Sequence, residues 1–256
     1  MNILSEIVAK LRPRLEERKR ILHRDTLEAM ATNAPARPGF TDAFRAPGLH
    51  VIAELKKASP SKGLIREHLD VPSLATELAQ NGATALSVLT EPNYFLGSEA
   101  NLSQAAKAVA IPLLRKDFIF DEYQILEAKA YGASCILLIA AMLSPEEFAR
   151  LLVFAHSLGL DVLGEAHSEA ELEVAVQADL VGVNARDLKT FQTSLEHSAQ
   201  LIRTIPADRL AIAESAVRTH ADMEMLTQAG ARGFLIGETL MRAEHPGLAL
   251  KELLCC

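Results

Sequence analysis

Charged side chains that could perform acid–base chemistry lie at the ends of short apolar segments. Glu54 and Lys56 end the first such segment, Lys116 ends another, and Glu165 lies near the end of a third. A charge in an apolar segment is costly to bury unless it is paired or functional. A lysine can act as a general acid or form a Schiff base, and a nearby carboxylate can stabilise positive charge. These residues predict a catalytic site, and a structural ring of salt bridges is the alternative.

The apolar segments recur along the chain, with helix-like stretches between them. The eight strand-like segments are VIAEL (51–55), TALSVL (84–89), IPLLRK (111–116), CILLIA (135–140), DVLGEA (161–166), LVGVNA (180–185), RLAIAE (209–214) and GFLIGE (233–238). The eight helix-like stretches are residues 72–81, 99–109, 122–131, 145–158, 168–177, 195–204, 219–229 and 239–254. Strands that are apolar on both faces, each followed by a helix, are typical of a parallel sheet.

Eight strand–helix units is the number at which a parallel sheet closes into a (βα)₈ TIM barrel. We therefore predict an α/β barrel over residues 50–256 and a single domain over residues 1–256. An open doubly wound sheet is the alternative, but the G-x-G-x-x-G fingerprint after the first strand is missing. Residues 1–49 carry an apolar residue every fourth position from Ile3 to Leu15. They predict a helical extension of one or two amphipathic helices, bent or broken near Pro13.

Polar residues concentrate at the carboxyl ends of the predicted strands, where TIM barrels hold their active sites. Glu54 and Lys56 are two residues apart, so they point to the same side of the first strand. The other polar residues at these ends are Ser59, Arg115, Lys116, Asp117, Glu165, His167, Asn184, Arg186, Glu214, Ser215 and Glu238. The sequence therefore predicts one pocket built from several strands.

The loops after the last two strands predict a phosphate site. In TIM barrels these loops often bind phosphate through backbone N–H groups and a short helix N-terminus. The segments AESAV (213–217) and LIGETL (235–240) have the small residues and helix starts that such a site needs, and Ser215 could add a hydroxyl donor. We therefore predict a small phosphorylated substrate.

Composition excludes several other classes of partner. The formal net charge is −7, which disfavours binding to nucleic acid or to an anionic membrane. The sequence has no run of 18 or more apolar residues, so we expect no transmembrane helix. The N-terminal residues lack the pattern of a signal peptide. The cysteines, Cys135, Cys255 and Cys256, have neither disulfide-framework nor metal-ligand spacing. We expect a cytoplasmic protein without a bound metal.

Five segments resemble indole-3-glycerol phosphate synthases. They are AELKKASPSKG (53–63), SVLTEPNYFLGS (87–98), LLRKDFIFDEYQILEAKAYGAS (113–134), GVNARDLKTF (182–191) and FLIGETLM (234–241). The resemblance extends over nearly the whole chain, including the helical extension. It implies conversion of 1-(2-carboxyphenylamino)-1-deoxyribulose 5-phosphate to indole-3-glycerol phosphate, CO₂ and water, without a cofactor, in tryptophan biosynthesis.

The resemblance also implies roles for the residues that match its motifs. Lys116 corresponds to the general acid of ring closure, and Lys56 to the lysine that holds the substrate carboxylate and serves in later proton transfer. Glu165 corresponds to the carboxylate that stabilises charge and helps dehydration, with Glu54 as the partner on the first strand. Asn184 and Arg186 would orient the lysines and the substrate.

The same comparison implies a substrate-binding set around the phosphate. Its members are Ser59, Arg186, Glu214, Ser215, Leu235, Gly237 and Glu238. An aromatic substrate also needs apolar walls, and the candidates are Leu89, Phe95, Phe118 and Leu138.

Three positions depart from the family pattern. Ala216 replaces the glycine that usually follows Glu-Ser after the seventh strand, and Ala185 replaces an asparagine. If position 216 needs a positive φ, alanine costs about 1 kcal/mol and weakens the phosphate site. The segment VQADLVG between the fifth helix and the sixth strand is short, which predicts a tight loop. We still expect activity, with a raised KM.

Two other functions are alternatives. Phosphoribosylanthranilate isomerase is a related barrel, but it needs a cysteine where the first strand here offers Glu54 and Lys56. A degenerate barrel kept as a scaffolding subunit is the second, and Ala216 is the feature that favours it. We expect a monomer or weak homo-oligomer that makes at most transient contact with other tryptophan-pathway enzymes. The sequence does not predict the conformation of the loop at residues 57–66.

Overall fold

A computed structural model describes residues 3–186 and 192–255. Eight parallel strands form a closed barrel, as predicted. We label them β1 (Val51–Leu55), β2 (Ala85–Leu89), β3 (Leu113–Lys116), β4 (Cys135–Ile139), β5 (Asp161–Ala166), β6 (Leu180–Asn184), β7 (Leu210–Glu214) and β8 (Ala231–Ile236). β1 closes the barrel by pairing with β2 on one side and with β8 on the other.

Helices alternate with the strands and cover the barrel. They are α1 (Ile3–Ile21), α2 (Arg24–Thr32), α3 (Val71–Gln80), α4 (Glu99–Ala108), α5 (Glu122–Ala130), α6 (Pro145–Ser157), α7 (Glu169–Ala175), α8 (Leu195–Thr204), α9 (His220–Ala229), α10 (Glu238–Arg242) and α11 (Pro246–Leu254). Among the described residues no helix combines the length and apolarity needed to cross a membrane.

Apolar residues alternate between two layers along each strand. On β1, Ile52 packs inside the barrel, whereas Val51, Ala53 and Leu55 pack outward against the helices. Both faces of the sheet are therefore buried from solvent, which is why the strands are apolar throughout. Glu54 shares the inward face with Ile52, so its carboxylate points toward the barrel axis and needs a partner there.

Two predicted helices have different boundaries in the structure. The stretch 239–254 is divided into α10 and α11, because Pro246 occupies the first turn of a new helix after Ala243 leaves the helical conformation. The predicted break near Pro13 is wrong, since α1 runs through this residue without interruption. The break in the extension comes instead after Ile21, before α2 begins at Arg24.

The N-terminal extension packs at both ends of the barrel. Leu4, Ile7 and Leu11 of α1 belong to the same apolar cluster as the barrel interior, and α1 reaches the carboxyl-end cavity. A short 3₁₀ helix at Thr41–Phe44 lies at the opposite end, where the Thr41 N–H donates to Asp161 at the start of β5 over 2.8 Å. The extension is thus part of the core.

Candidate active site

One large cavity, about 850 Å³ in volume, opens at the carboxyl ends of the strands. The twelve residues predicted to be catalytic or substrate-binding all line it. They are Glu54, Lys56, Ser59, Lys116, Glu165, Asn184, Arg186, Glu214, Ser215, Leu235, Gly237 and Glu238. The fold therefore brings residues from β1, β3, β5, β6, β7 and β8 to one place, while their individual roles stay predictions.

Lys116 lies between two carboxylates. Its Nζ donates to Glu165 Oε2 over 2.7 Å and to Glu214 Oε2 over 2.5 Å. Burial alone would lower the pKa of Lys116, but the charges of Glu165, Glu214 and Glu54 outweigh it and raise the pKa well above its usual value. Lys116 is therefore cationic, which suits stabilisation of a developing negative charge and disfavours a Schiff base, because that reaction needs a neutral amine.

The two carboxylates beside Lys116 have opposite proton affinities. Burial would raise the pKa of Glu165, but Lys116 and His167 outweigh it and lower the pKa to about 2. Burial, together with the nearby charge of Glu165, raises the pKa of Glu214 to about 8 against the attraction of Lys116. Such a separation of pKa values in one pocket is typical of catalytic carboxylates.

Lys56 forms a second ion pair, with Glu54 Oε1. The pair confirms that the two side chains point to the same side of β1. Gly237 leaves the space for it: a Cβ at Gly237 would clash with the Glu54 carboxylate and would lie 3.0 Å from Lys56 Nζ. The glycine at the end of β8 is thus required by a close approach of backbone to this pair.

Two residues at the end of β6, Asn184 and Arg186, hydrogen-bond to other residues that line the cavity. Asn184 Nδ2 donates to Glu165 Oε1 over 3.2 Å. Arg186 NH1 donates to Ser61 Oγ over 3.1 Å, and its NH2 lies 3.8 Å from Glu238 Oε2. Arg186 therefore connects the loop after β1 with the start of α10. The rest of the GVNARDLKTF motif, residues 187–191, lies outside the described residues.

The loop after β7 has an unusual backbone. Ser215 has φ 66° and Ala216 has φ 63°, both in the left-handed region that favours glycine. Position 216 thus has the positive φ that makes alanine costly there. Both residues line the cavity beside Gly237, at the place predicted for phosphate.

The apolar wall differs at one residue from the prediction. Leu89, Phe95 and Phe118 line the cavity, but Leu138 faces the helices. Strand alternation points its neighbours Leu137 and Ile139 inward instead. Ile3, Leu4 and Ile7 of α1 also line the cavity, and the sequence did not predict them there. Their four-residue spacing indicated a buried helix face but not the surface it covers.

Arg115 is adjacent to Lys116 but points away from the cavity. Its guanidinium is fully buried, and it donates to Glu127, Asp117 and Thr90 over 3.0–3.1 Å. Its place among the polar residues of the pocket is therefore wrong, because alternation sends successive side chains of β3 to opposite faces. It packs β3 against α5.

His167 follows β5 and lies between two carboxylates. Its Nε2 is buried 3.4 Å from Glu165 Oε1, and its Nδ1 is 3.2 Å from Glu171 Oε2 on α7. Burial would lower the pKa of His167, but the hydrogen bond to Glu171 and the charges of Glu165, Glu171 and Glu214 outweigh it and raise the pKa. The sequence placed His167 at a strand end without a role.

No group of three His, Cys, Asp or Glu side chains within residues 3–186 and 192–255 is arranged to hold a metal ion. Cys135 is buried at the start of β4, far along the strand from the cavity, and burial raises the pKa of its thiol well above the usual value. It is unsuited to acid–base chemistry at the cavity.

Comparison with known proteins gives both a family and a fold. The sequence model of the family described as indole-3-glycerol phosphate synthase matches residues 4–253. Solved structures with a similar fold include a thiamine phosphate pyrophosphorylase from Pyrococcus furiosus, with 16% identity, a TM-score of 0.60 and coverage of 84% of this chain and 96% of that one. A 3-hexulose-6-phosphate synthase has 17% identity, a TM-score of 0.64 and coverage of 81% and 98%. At these identities the two structures show the barrel fold alone.

Proposed function

The chain belongs to the indole-3-glycerol phosphate synthase family, and we propose that the cluster around Lys116 and Lys56 is where its reaction takes place. The enzyme is a carboxy-lyase of tryptophan biosynthesis that closes, decarboxylates and dehydrates 1-(2-carboxyphenylamino)-1-deoxyribulose 5-phosphate. The observation that carries the assignment of the site is the contact of Lys116 with Glu165 and Glu214 inside the carboxyl-end cavity.

Lys116 is the general acid of ring closure. Closure develops negative charge on the carbonyl oxygen of the substrate, and a fixed ammonium group can stabilise that charge and protonate the oxygen. The carboxylates of Glu165 and Glu214 keep Lys116 charged and aim its Nζ into the cavity. Their hold leaves one ammonium proton available for a third acceptor, because a lysine has three donors.

Lys56 binds the carboxylate that leaves as CO₂. Its side chain is 17% exposed, so the ammonium group is accessible from the cavity while Glu54 holds it. A lysine is a point charge on a flexible stem, and it can release the carboxylate as the carbon–carbon bond breaks. After decarboxylation Lys56 is free for the later proton transfer.

Glu165 assists dehydration. Loss of the hydroxyl group leaves positive charge in the new ring, and a carboxylate with a depressed pKa stays ionised to stabilise it. Asn184 holds one oxygen of Glu165 and Lys116 holds the other, so the carboxylate has little freedom to turn. Asn184 is therefore a positioning residue.

The phosphate lies between the loops after β7 and β8. Ser59, Ser215 and the backbone at Gly237 and Glu238 are its donors, with Leu235 below them. Three cationic groups surround this end of the cavity: Arg242 Nε, Arg186 NH2 and Lys62 Nζ lie 3.0, 3.8 and 3.9 Å from Glu238 carboxylate oxygens. They supply the local positive charge that a protein of net charge −7 otherwise lacks.

The aromatic ring of the substrate packs on the opposite side of the cavity. Phe95 and Phe118 lie with ring centroids 6.0 Å apart, and Leu4 and Ile7 of α1 line the cavity with them. The substrate is therefore held between an apolar wall and a cationic one. This division orients its carboxyphenyl group toward the lysines.

Several expectations remain predictions within this proposal. They are a single domain over residues 1–256, a cytoplasmic location, a monomer or weak homo-oligomer, transient contact with other tryptophan-pathway enzymes, and independence from metal and cofactor. A measurement of catalytic activity also decides for or against the alternative of a degenerate barrel kept as a scaffolding subunit.

The test is a fluorescence assay with the purified chain and the carboxyphenylamino-deoxyribulose phosphate. We expect an indole fluorescence signal with neither metal nor nucleotide added, and the same signal after treatment with a chelator. A chain that binds the substrate but gives no signal at any pH between about 6 and 9 would be a binding subunit.

A further inference from the structure

The reaction takes up one proton in each turnover. The carbonyl oxygen receives a proton on ring closure, and the resulting hydroxyl receives a second one as it leaves as water. The ring carbon next to the nitrogen gives one proton back when the indole becomes aromatic. Because the carboxylate leaves as neutral CO₂, the balance is one proton taken from solvent.

The groups that would deliver these protons are poorly exposed. The side chains of Lys116, Glu165 and Glu214 are 12%, 5% and 1% exposed. What exposure they have is toward the cavity, which the substrate fills during the reaction. A route for protons that avoids the cavity would keep the cluster supplied with substrate in place.

His167 lies on such a route. On one side its Nε2 faces Glu165 Oε1 at 3.4 Å, and on the other its Nδ1 faces Glu171 Oε2 at 3.2 Å. Glu171 is on the outer helix α7, and its side chain is 26% exposed. We propose that His167 is a proton relay between the solvent-facing carboxylate of Glu171 and the reacting cluster at Glu165.

The local structure fixes the relay in place. The backbone N–H of His167 donates to Glu171 Oε2 over 2.7 Å. The same carboxylate oxygen is therefore bonded to both the backbone N–H and the ring Nδ1 of His167. Ser168 Oγ caps α7 by accepting the Glu171 N–H. The buried Nε2 makes no hydrogen bond within the described part of the chain and lies 3.4 Å from Glu165 Oε1, so a small shift of the imidazole ring aims its proton at that oxygen.

The charges around the ring favour its protonated form. Glu165 and Glu171 face it as anions, and Glu214 adds negative charge only above its raised pKa of about 8. Lys116 lies beyond Glu165, and His197 of α8 approaches the His167 carbonyl at 3.4 Å. The raised pKa of His167 agrees with this arrangement. An imidazolium near neutral pH is what a relay needs to carry a proton inward.

The relay step is a proton transfer without other bond changes. The imidazolium gives its Nε2 proton to a Glu165 oxygen and remains as the Nδ1–H tautomer, hydrogen-bonded to Glu171. Rotation of the ring then presents the empty nitrogen to the outer side, where Glu171 or water protonates it again. Each cycle moves one proton from solvent to the cluster, which is the number that the reaction consumes.

The relay rests on the proposed roles of Lys116 and Glu165, and the experiment distinguishes a failure of the relay from a failure of those roles. Single-turnover indole formation is measured with enzyme in excess for the wild type and for H167Q, which keeps a hydrogen-bond donor but does not titrate. We expect wild-type substrate affinity and a single-turnover rate lowered about tenfold, less than the roughly 10²–10⁴-fold of a group in direct contact with the reacting atoms. The deficit should shrink at acidic pH, where hydronium supplies the cavity directly.

Rescue by imidazole distinguishes a relay from a structural role. We expect imidazole to restore much of the single-turnover rate of H167A, and E171Q to share the defect of H167Q. E173Q is the matched control on the exposed side of α7 and should behave as wild type. A wild-type rate in H167Q, or a defect in H167A that imidazole leaves unchanged, would overturn the relay. An inactive wild type would instead overturn the assignment of the site.

Discussion

Lys116 Nζ and Glu214 Oε2 lie 2.5 Å apart although their strands, β3 and β7, face each other across the barrel. The ion pair therefore crosses the axis and can form only when the barrel is closed. It places one ammonium group between two carboxyl groups, so the cluster carries more negative than positive charge only when both Glu165 and Glu214 are ionised. The protonation state of Glu214 then decides how firmly Lys116 is held.

Replacement of Lys116 should abolish most of the activity. We expect K116A to lower kcat by at least about 10²-fold, the usual scale for a general acid. K116R keeps the charge beside Glu165 and Glu214, but its larger planar guanidinium cannot take the place of the compact ammonium group, so it should fold well and remain nearly as inactive. Steady-state fluorescence kinetics and circular dichroism measure the two effects. K107A on the exposed face of α4 is the control, and full activity in K116R would move the acid role to another residue.

Replacement of Lys56 should weaken substrate binding. A hydrogen bond to a charged group is worth about 1.5–3 kcal/mol, so we expect K56M to raise KM by about tenfold or more. K57M is the matched control, because Lys57 is the next residue and does not line the cavity. An unchanged KM with a lowered kcat would assign Lys56 to proton transfer alone.

Glycine at position 216 should improve the phosphate site. Ala216 has a φ of 63°, a conformation that costs alanine about 1 kcal/mol relative to glycine. We expect A216G to lower KM, whereas the midpoint of thermal unfolding should change little, because the greater entropy of the unfolded chain offsets about 0.4–1 kcal/mol of the relief. A213G is the control: Ala213 is in β7 with ordinary strand geometry, so glycine there should only destabilise. A raised KM in A216G would mean that alanine suits this loop.

Neutralising Glu214 should stabilise the fold at alkaline pH. Its pKa is about 8 in the folded protein against an ordinary value of 4.5. Between these values the folded state keeps a proton that the unfolded state has released, so wild-type stability falls as pH rises through this range. We expect E214Q to be more stable than wild type by about 1 kcal/mol or more near pH 8 and to lose this advantage toward pH 4.5. Urea unfolding at several pH values tests this, with E173Q as the exposed control.

The sequence predicted the barrel because its signal is repeated eight times. Each strand, such as Asp161–Ala166, is a short apolar segment before a helix with its own cap, and these are local features. The errors came where two local signals compete. A proline usually breaks a helix, yet α1 continues through Pro13 because Ile7 is buried against the barrel interior and Leu15 against α2 and α5. Leu138 and Leu137 are equally apolar, and only the strand register decides which of them faces the cavity.

By itself the sequence determined the fold class, the family and most of the polar residues at the cavity, because these depend on residue types and on spacing along the chain. Only the tertiary structure decided which of these residues touch. Lys116 meets Glu214 across the barrel, α1 covers the apolar wall, and His167 reaches Glu165 and Glu171 at once. Such contacts join residues far apart in sequence, and their charges shift one another's pKa values only when the closed barrel removes water from between them.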